Sequence, residues 1–372
     1  MLKEHYGYVS DACRLAQYQA ALNSIVRPGD HCVDLGCGTG VLGLLALKAG
    51  AEHIHCIDDT RVISLARETY RRAGLAHRVT FYQGRSQQIS LPRLADVLFC
   101  DHVGYFGVDY RILPLLEDAA RRFLRPGGKI APRSIQLEIA AVGSAHCSEL
   151  ARQWMGANVP AELRWLHEYE ANTKHAVDLK REDIFTNVVQ LATIDLRETQ
   201  PEYFTWKAAL RAQRAGLLDG LGGWFTCDLA PGICMTNSPE SISRISRSQA
   251  FFPFESSIAV QPGDELHVTI LARAEGDIFG WTVEHPAAGL RQTQTNWKSQ
   301  VMSDADLVDA GPGHVPALTP TAQARQTVLA YCNGKRDAVQ IEEAVLREHP
   351  HLFPSAAETK VFVKSVLKRD TR

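Results

Sequence analysis

At 372 residues the chain has room for two or three domains and a sizeable core. It is 45% hydrophobic and 22% charged, ordinary for a globular protein, and its net charge of −2 supplies no basic excess for a nucleic-acid surface. No apolar run reaches the length of a membrane span, and the opening Met1-Leu2-Lys3-Glu4-His5 does not read as a signal peptide. Nine cysteines are scattered with no CxxC pair, which reads as reduced thiols in a cytoplasmic protein with no structural zinc or other metal.

In chain order, the first strong pattern is Val33-Asp34-Leu35-Gly36-Cys37-Gly38-Thr39-Gly40. It predicts a buried strand, His31–Leu35, entering a tight glycine-rich turn, with a helix over Val41–Ala49. Glycines there let the backbone approach a ligand and supply turn conformations that side chains obstruct. A second strand, His53–Asp58, ends in the acidic pair Asp58-Asp59, about 20 residues after the turn. A carboxylate at that place takes the two hydroxyls of a ribose. Further strands are predicted at Val79–Gln83, Val97–Asp101 and Lys129–Ala131, with helices over Val62–Ala73 and Arg111–Phe123. This alternation implies a doubly wound, Rossmann-like α/β sheet that binds a nucleoside-containing cofactor outside the carboxyl ends of its strands.

Nicotinamide and flavin proteins carry similar turns, so the turn alone leaves the cofactor open. The acidic residue before GCGTG resembles motif I of class I S-adenosylmethionine methyltransferases. Other segments resemble one branch, the protein arginine methyltransferases. Asp11-x-x-Arg14-x-x-x-Tyr18 is similar to its D-x-x-R-T-x-x-Y segment, whose Arg meets the cofactor carboxylate. Gly84-Arg85-Ser86-Gln87-Gln88 resembles its adenine-holding turn, and Leu124-x-Pro126-Gly127-Gly128 with Ala131-Pro132 resembles the turn that opens its second half. Trp224–Leu229, Thr236–Ser241 and Ser248–Phe252 resemble consecutive strands of its antiparallel β-barrel. The cofactor set this implies is Arg14, Asp34, Gly36, Cys37, Gly38, Gly40, Leu42, Asp58, Asp59, Ser86, Gln87 and Asp101, for S-adenosyl-L-methionine.

Asp101-His102-Val103-Gly104-Tyr105-Phe106-Gly107-Val108-Asp109-Tyr110 resembles the family's two-glutamate loop. A guanidinium stays charged at neutral pH, and two carboxylates fix its plane and aim one nitrogen. Here the first carboxylate is Asp101, the adjacent Trp is His102, and the second Glu falls on Tyr110 with Asp109 one residue early. The family's T-H-W loop falls on Ile245-Ser246-Arg247, and its upstream aromatic segment is replaced in part by Tyr6 and Tyr8. The candidate catalytic residues are therefore Asp101, His102, Asp109 and Tyr110. The acceptor readings are a guanidino nitrogen of a small molecule or peptide, and another nucleophile (amine, imidazole or hydroxyl) served by His102 or Tyr110, with His102 as base for a hydroxyl or ammonium. A cofactor-binding scaffold without catalysis is the opposing class.

The expected organisation is a cofactor domain over 1–132 and a β-barrel domain over 133–290. A helical arm at about 147–185, with Trp154, Trp165 and Leu166, matches the family's dimerisation arm and implies a homodimer. Pro286, Gly289, Gly311, Pro312, Gly313, Pro316 and Pro320 suggest a linker over 291–320. A helical or winged-helix module over 321–372 is similar to PqqD-type modules, which implies docking of a leader peptide or carrier.

Overall fold

The computed structural model describes residues 2–273, 277–309, 311 and 313–371, so Met1 and Pro312 lie outside the described residues. The chain divides into two compact units, Met1–Gln300 and Val301–Arg372.

The first unit opens with helices α1 (Leu2–Ser10) and α2 (Ala12–Ile25). Asp11 separates them and caps α2, accepting the Arg14 backbone N–H at 3.0 Å. The alternating half follows as β1 (His31–Leu35), α3 (Val41–Lys48), β2 (His53–Asp58), α4 (Ile63–Arg72), β3 (Val79–Gln83), β4 (Ala95–Cys100), α5 (Ile112–Phe123) and β5 (Leu124–Ala131). Its five strands are parallel in the order β3-β2-β1-β4-β5. Strand order reverses between β1 and β4, where Leu35 pairs with Cys100. The residues that leave the sheet side by side are therefore Gly36 and Asp101. Element ends shift slightly from expectation: β4 stops one residue before Asp101, and β5 starts at Leu124 with a register shift opposite Ala95 and Val97.

The second half of this unit is antiparallel, as expected. It contains β6 (Ser134–Val142), α6 (Ala145–Arg152), α7 (His167–Glu170), β7 (His175–Val177), β8 (Val189–Asp195), β9 (Tyr203–Arg211), β10 (Gly216–Ala230), β11 (Ile233–Thr236), β12 (Gln249–Val260), β13 (Glu265–Arg273), β14 (Ile278–His285) and β15 (Leu290–Thr295). One sheet runs β7-β12-β10-β6-β8 with β11 on β10, and the other runs β15-β14-β13-β9. Aromatic rings fill the space between: Phe252 lies 5.4 Å from Trp281 and 5.4 Å from Phe106. Phe106 comes from the loop after β4, so this packing anchors that loop in the β half. Buried Asn237 adds a second anchor, donating to the Tyr105 carbonyl at 2.9 Å. The expected boundary at 290 moves, because residues 290–295 pair with β14 as an edge strand despite the Pro and Gly around them.

The described residues of the second unit form four helices, α8 (Asp304–Asp309), α9 (Pro320–Ala330), α10 (Ala338–Glu348) and α11 (Ala356–Asp370). Val328, Ile341, Val345, Val363 and Val366 form its core. Thr319, Asp337 and Ser355 cap the last three helices. Among the described residues of this unit there is no strand, so of the two expected forms it takes the helical one.

Cross-strand pairing also stacks three imidazoles away from the turn. His31 pairs with His53, and His55 lies two residues on, on the same face. The rings are 5.0 to 5.8 Å apart, and the Tyr82 hydroxyl is 3.3 Å from His55 Nδ1. His55 is 2% exposed, and burial, then its two histidine neighbours and Arg93, push its pKa down to about 4. Because the unfolded chain takes up this proton near its ordinary pKa, folding loses stability as pH falls from about 6.5 towards 4, by about 3 kcal/mol. Chemical denaturation of wild type and His55→Leu should therefore diverge over that window, with wild type losing more. A difference that stays constant with pH would contradict a neutral, buried His55.

Candidate functional site

A cleft of about 1000 Å³ opens at the carboxyl ends of β1, β2 and β4. Its floor is the glycine turn, where Gly36, Gly38 and Gly40 have φ of 72°, 52° and 80°. Gly40 shows why the position excludes a side chain, since a Cβ there would sit 2.8 Å from the Tyr70 ring. The Gly36 and Cys37 amides donate to the Ile57 carbonyl at 2.8 and 3.0 Å, tying the turn to β2. Cys37 and Leu42 are buried and line the cleft. Asp34 lies beneath the turn, accepting the Gly43 amide at 2.8 Å, and burial pushes its pKa up to about 7. Its role is to brace the start of α3 against the turn.

Asp58 is held by three donors: the Gly38 amide at 2.8 Å, the Thr60 amide at 2.8 Å and the Thr60 hydroxyl at 2.6 Å. Its carboxylate is fixed at the cleft wall, with Asp59 exposed at the rim. Beyond it, Ser86 and Gln87 form one turn of 3-10 helix on the same wall. The Ser86 hydroxyl is buried without a partner, which is costly unless a ligand supplies one. These groups fit a nucleoside: a rigid carboxylate for ribose, and an orphaned hydroxyl with an adjacent amide for a base edge.

At the other end Arg14, 3% exposed, pairs with Asp101 and donates to the Tyr8 carbonyl at 2.8 Å. Its Nε is buried with no partner. Asp101 also accepts from the Tyr18 hydroxyl at 3.2 Å, and Arg247 Nη2 lies 3.6 Å from it. His102 lines the cleft with its ring 5.8 Å from that of Tyr110, and burial in the cleft wall lowers its pKa. Tyr110 and Arg111 are consecutive non-glycine residues with φ of 61° and 62°. Tyr110 is 43% exposed and lines the cleft, and burial followed by its bond to Tyr105 raises its phenol pKa.

Asp109 departs from expectation. It is 1% exposed and is not among the residues lining the cleft. Its carboxylate accepts the Phe106 amide and pairs with Lys174, whose ammonium also lies 3.1 Å from Asp277 and 4.3 Å from the Phe279 ring centroid. The physical reason is the anchored loop: with Phe106 in the β core, Asp109 closes the turn from inside and the cleft position passes to Tyr110. Residues unassigned by sequence reasoning also line the cleft, His5 and Arg111 among them. His5 shares it with Tyr8 at helical i, i+3 spacing on α1, the available signal; Tyr6 is 69% exposed and does not line it. Arg247, a basic residue where the family has an aromatic one, is the other partner that sequence reasoning did not place. Among the described residues no cluster of His, Cys, Asp or Glu has the arrangement to hold a metal ion.

Residues 32–128 match a family model described as a methyltransferase domain. Protein arginine N-methyltransferase 1 of Oryza sativa subsp. indica is 27% identical over 227 residues, covering 59% of this chain and 58% of the relative. The chain thus spans less than two thirds of that relative. A probable protein arginine N-methyltransferase 6 of Arabidopsis thaliana is 22% identical over 359 residues, covering 92% of this chain and 79% of the relative. Among solved structures, Trypanosoma brucei PRMT1, from an enzyme–prozyme heterotetrameric complex with AdoHcy, shares the fold with TM-score 0.70 and 20% identity. That likeness covers 79% of this chain and 98% of the other. Arabidopsis thaliana protein arginine methyltransferase 10 gives TM-score 0.69 at 20% identity, covering 80% and 98%. Fold, cleft and matches define a class I S-adenosylmethionine methyltransferase domain. Within that class the chain resembles the protein arginine N-methyltransferases.

Lys174 is the residue that makes the burial of Asp109 tolerable. Replacing Lys174 with Met should leave a buried carboxylate without its cation and cost about 3–5 kcal/mol in urea unfolding. An unchanged midpoint would show that Asp109 reaches solvent, and with it the cleft.

Proposed function

We propose that the chain is an S-adenosylmethionine-dependent N-methyltransferase acting on a guanidino or related nitrogen of a small molecule or peptide. The observation that carries this is the position of Asp101, which leaves β4 beside the glycine turn and faces the cleft. When bound, S-adenosylmethionine supplies a methyl group on a sulfonium, transferred in line with the sulfur keeping the bonding electron pair. The chain's own residues hold and orient. Asp58 takes the ribose hydroxyls, Ser86 and Gln87 the adenine edge, and Arg14 the carboxylate. Asp101 accepts an N–H of the acceptor and so aims its nitrogen, and positioning of this kind supplies most of the rate.

Two observations favour a second reading, in which the acceptor is an amine, imidazole or hydroxyl. Asp109 is engaged with Lys174 outside the cleft, and Asp101 already has two arginines beside it. His102 then takes the proton the nucleophile loses, because its lowered pKa keeps it neutral at pH 7.

We place the acceptor in solution or on a peptide, and the chain in a homodimer. Met155, Leu163 and Trp165 in the helical arm are 50%, 42% and 55% exposed, an apolar group that suits a partner subunit. A peptide or carrier docking on the C-terminal unit is supported by Val339 and Val361, 63% and 69% exposed. All nine cysteines are free, in keeping with a reducing cytoplasm, and no described helix is long and apolar enough to cross a membrane.

Incubation with labelled S-adenosylmethionine and a panel of guanidino, amine, imidazole and hydroxyl acceptors tests the proposal. Wild type should transfer label to one class, and Asp101→Ala should lose on the order of a hundredfold. Cofactor binding with no transfer to any class would make the chain a scaffold and overturn it. The pH profile separates the readings. With His102 as base, the rate falls on acidification below its depressed pKa, and His102→Ala removes that limb; a limb that survives the substitution excludes this role.

A further inference from the structure

Asp101 has its partners within its own chain. Arg14 pairs with it directly, and Arg14 also lines the cleft with its Nε buried and unpartnered. Arg247 stands beside it: Nη1 donates to the Val103 carbonyl, Nη2 lies 3.6 Å from Asp101 Oδ2, and the side chain is 10% exposed. Unlike Arg14, Arg247 is not part of the cleft lining. A separation of 3.6 Å is too long for a hydrogen bond and close enough for charge attraction.

On the methyltransferase reading, on which this inference rests, the cofactor's carboxylate and Asp101 are two anions with a claim on one guanidinium. We propose that Arg14 is shared between them and that Arg247 is a positioning residue that keeps Asp101 neutralised while Arg14 turns to the cofactor. A buried carboxylate abandoned by its only cation is strongly disfavoured, so without Arg247 the exchange would be resisted. With it, Oδ2 of Asp101 is released from its direct bond and becomes available to an acceptor N–H. Cofactor binding thereby prepares the acceptor side of the cleft.

The test measures dissociation constants of the full chain for two probes by calorimetry. S-adenosylhomocysteine carries the carboxylate, whereas methylthioadenosine has the same nucleoside and sulfur without it. Asp101→Asn removes the competing anion, so S-adenosylhomocysteine should bind about fivefold tighter with methylthioadenosine unchanged. Arg247→Met should weaken S-adenosylhomocysteine by a similar factor with methylthioadenosine again unchanged, and Arg247→Lys should restore it. A weaker or unaltered S-adenosylhomocysteine affinity in Asp101→Asn, or parallel changes in both probes, overturns the exchange while leaving the cofactor site intact. If wild type binds neither probe, the methyltransferase reading itself fails and this inference falls with it.

Discussion

The parallel register of β1 and β4 is the constraint on which the site depends. Leu35 lies opposite Cys100, so the glycine turn and Asp101 leave the sheet at the same level on adjacent strands. Strand order reverses between them, which opens a crevice at their carboxyl ends. Everything else refines this arrangement: Asp34 braces the turn from below, Asp58 fixes one wall, and α1 and α2 bring Tyr8 and Arg14 to the other.

The Asp101 end of the cleft is shaped by the β half. Phe106 packs against Phe252, and Asn237 holds the Tyr105 carbonyl, so the loop after β4 has little freedom. Its internal ion pair, Asp109 with Lys174, follows from that anchoring. The result is a cleft lined by Asp101 of that loop and not by Asp109, with two arginines beside Asp101. This electrostatic setting differs from a pair of carboxylates gripping a guanidinium, and it is where the chain diverges from the arginine methyltransferase pattern.

Much of this was legible in the sequence because it rests on local patterns. The strand, glycine turn and following helix are written in consecutive residues, and Asp58 falls at the end of the next strand. The positions of Asp101 and His102 in the cleft follow from strand order, and that of Tyr110 was suggested by the family pattern. Asp109 was misread because its orientation is decided by Phe106 and Lys174, contacts 3 and 65 residues away in sequence. Arg247 and Asp101 are likewise brought together by tertiary packing across the two halves. The edge strand at 290–295 was hidden because Pro286 and Gly289 signal a break, while pairing to β14 is a non-local choice. His5 and Tyr8 lie on a helix whose sequence has no strong apolar face to mark its orientation.

A crystal structure with S-adenosylhomocysteine is the most direct check that this crevice is a methyl-transfer site. The ribose should lie on Asp58, the adenine edge on Ser86 and Gln87, and the carboxylate on Arg14. The sulfur should then face Asp101 and His102. A nucleoside seated elsewhere, or a sulfur directed to bulk solvent away from Asp101, would contradict it.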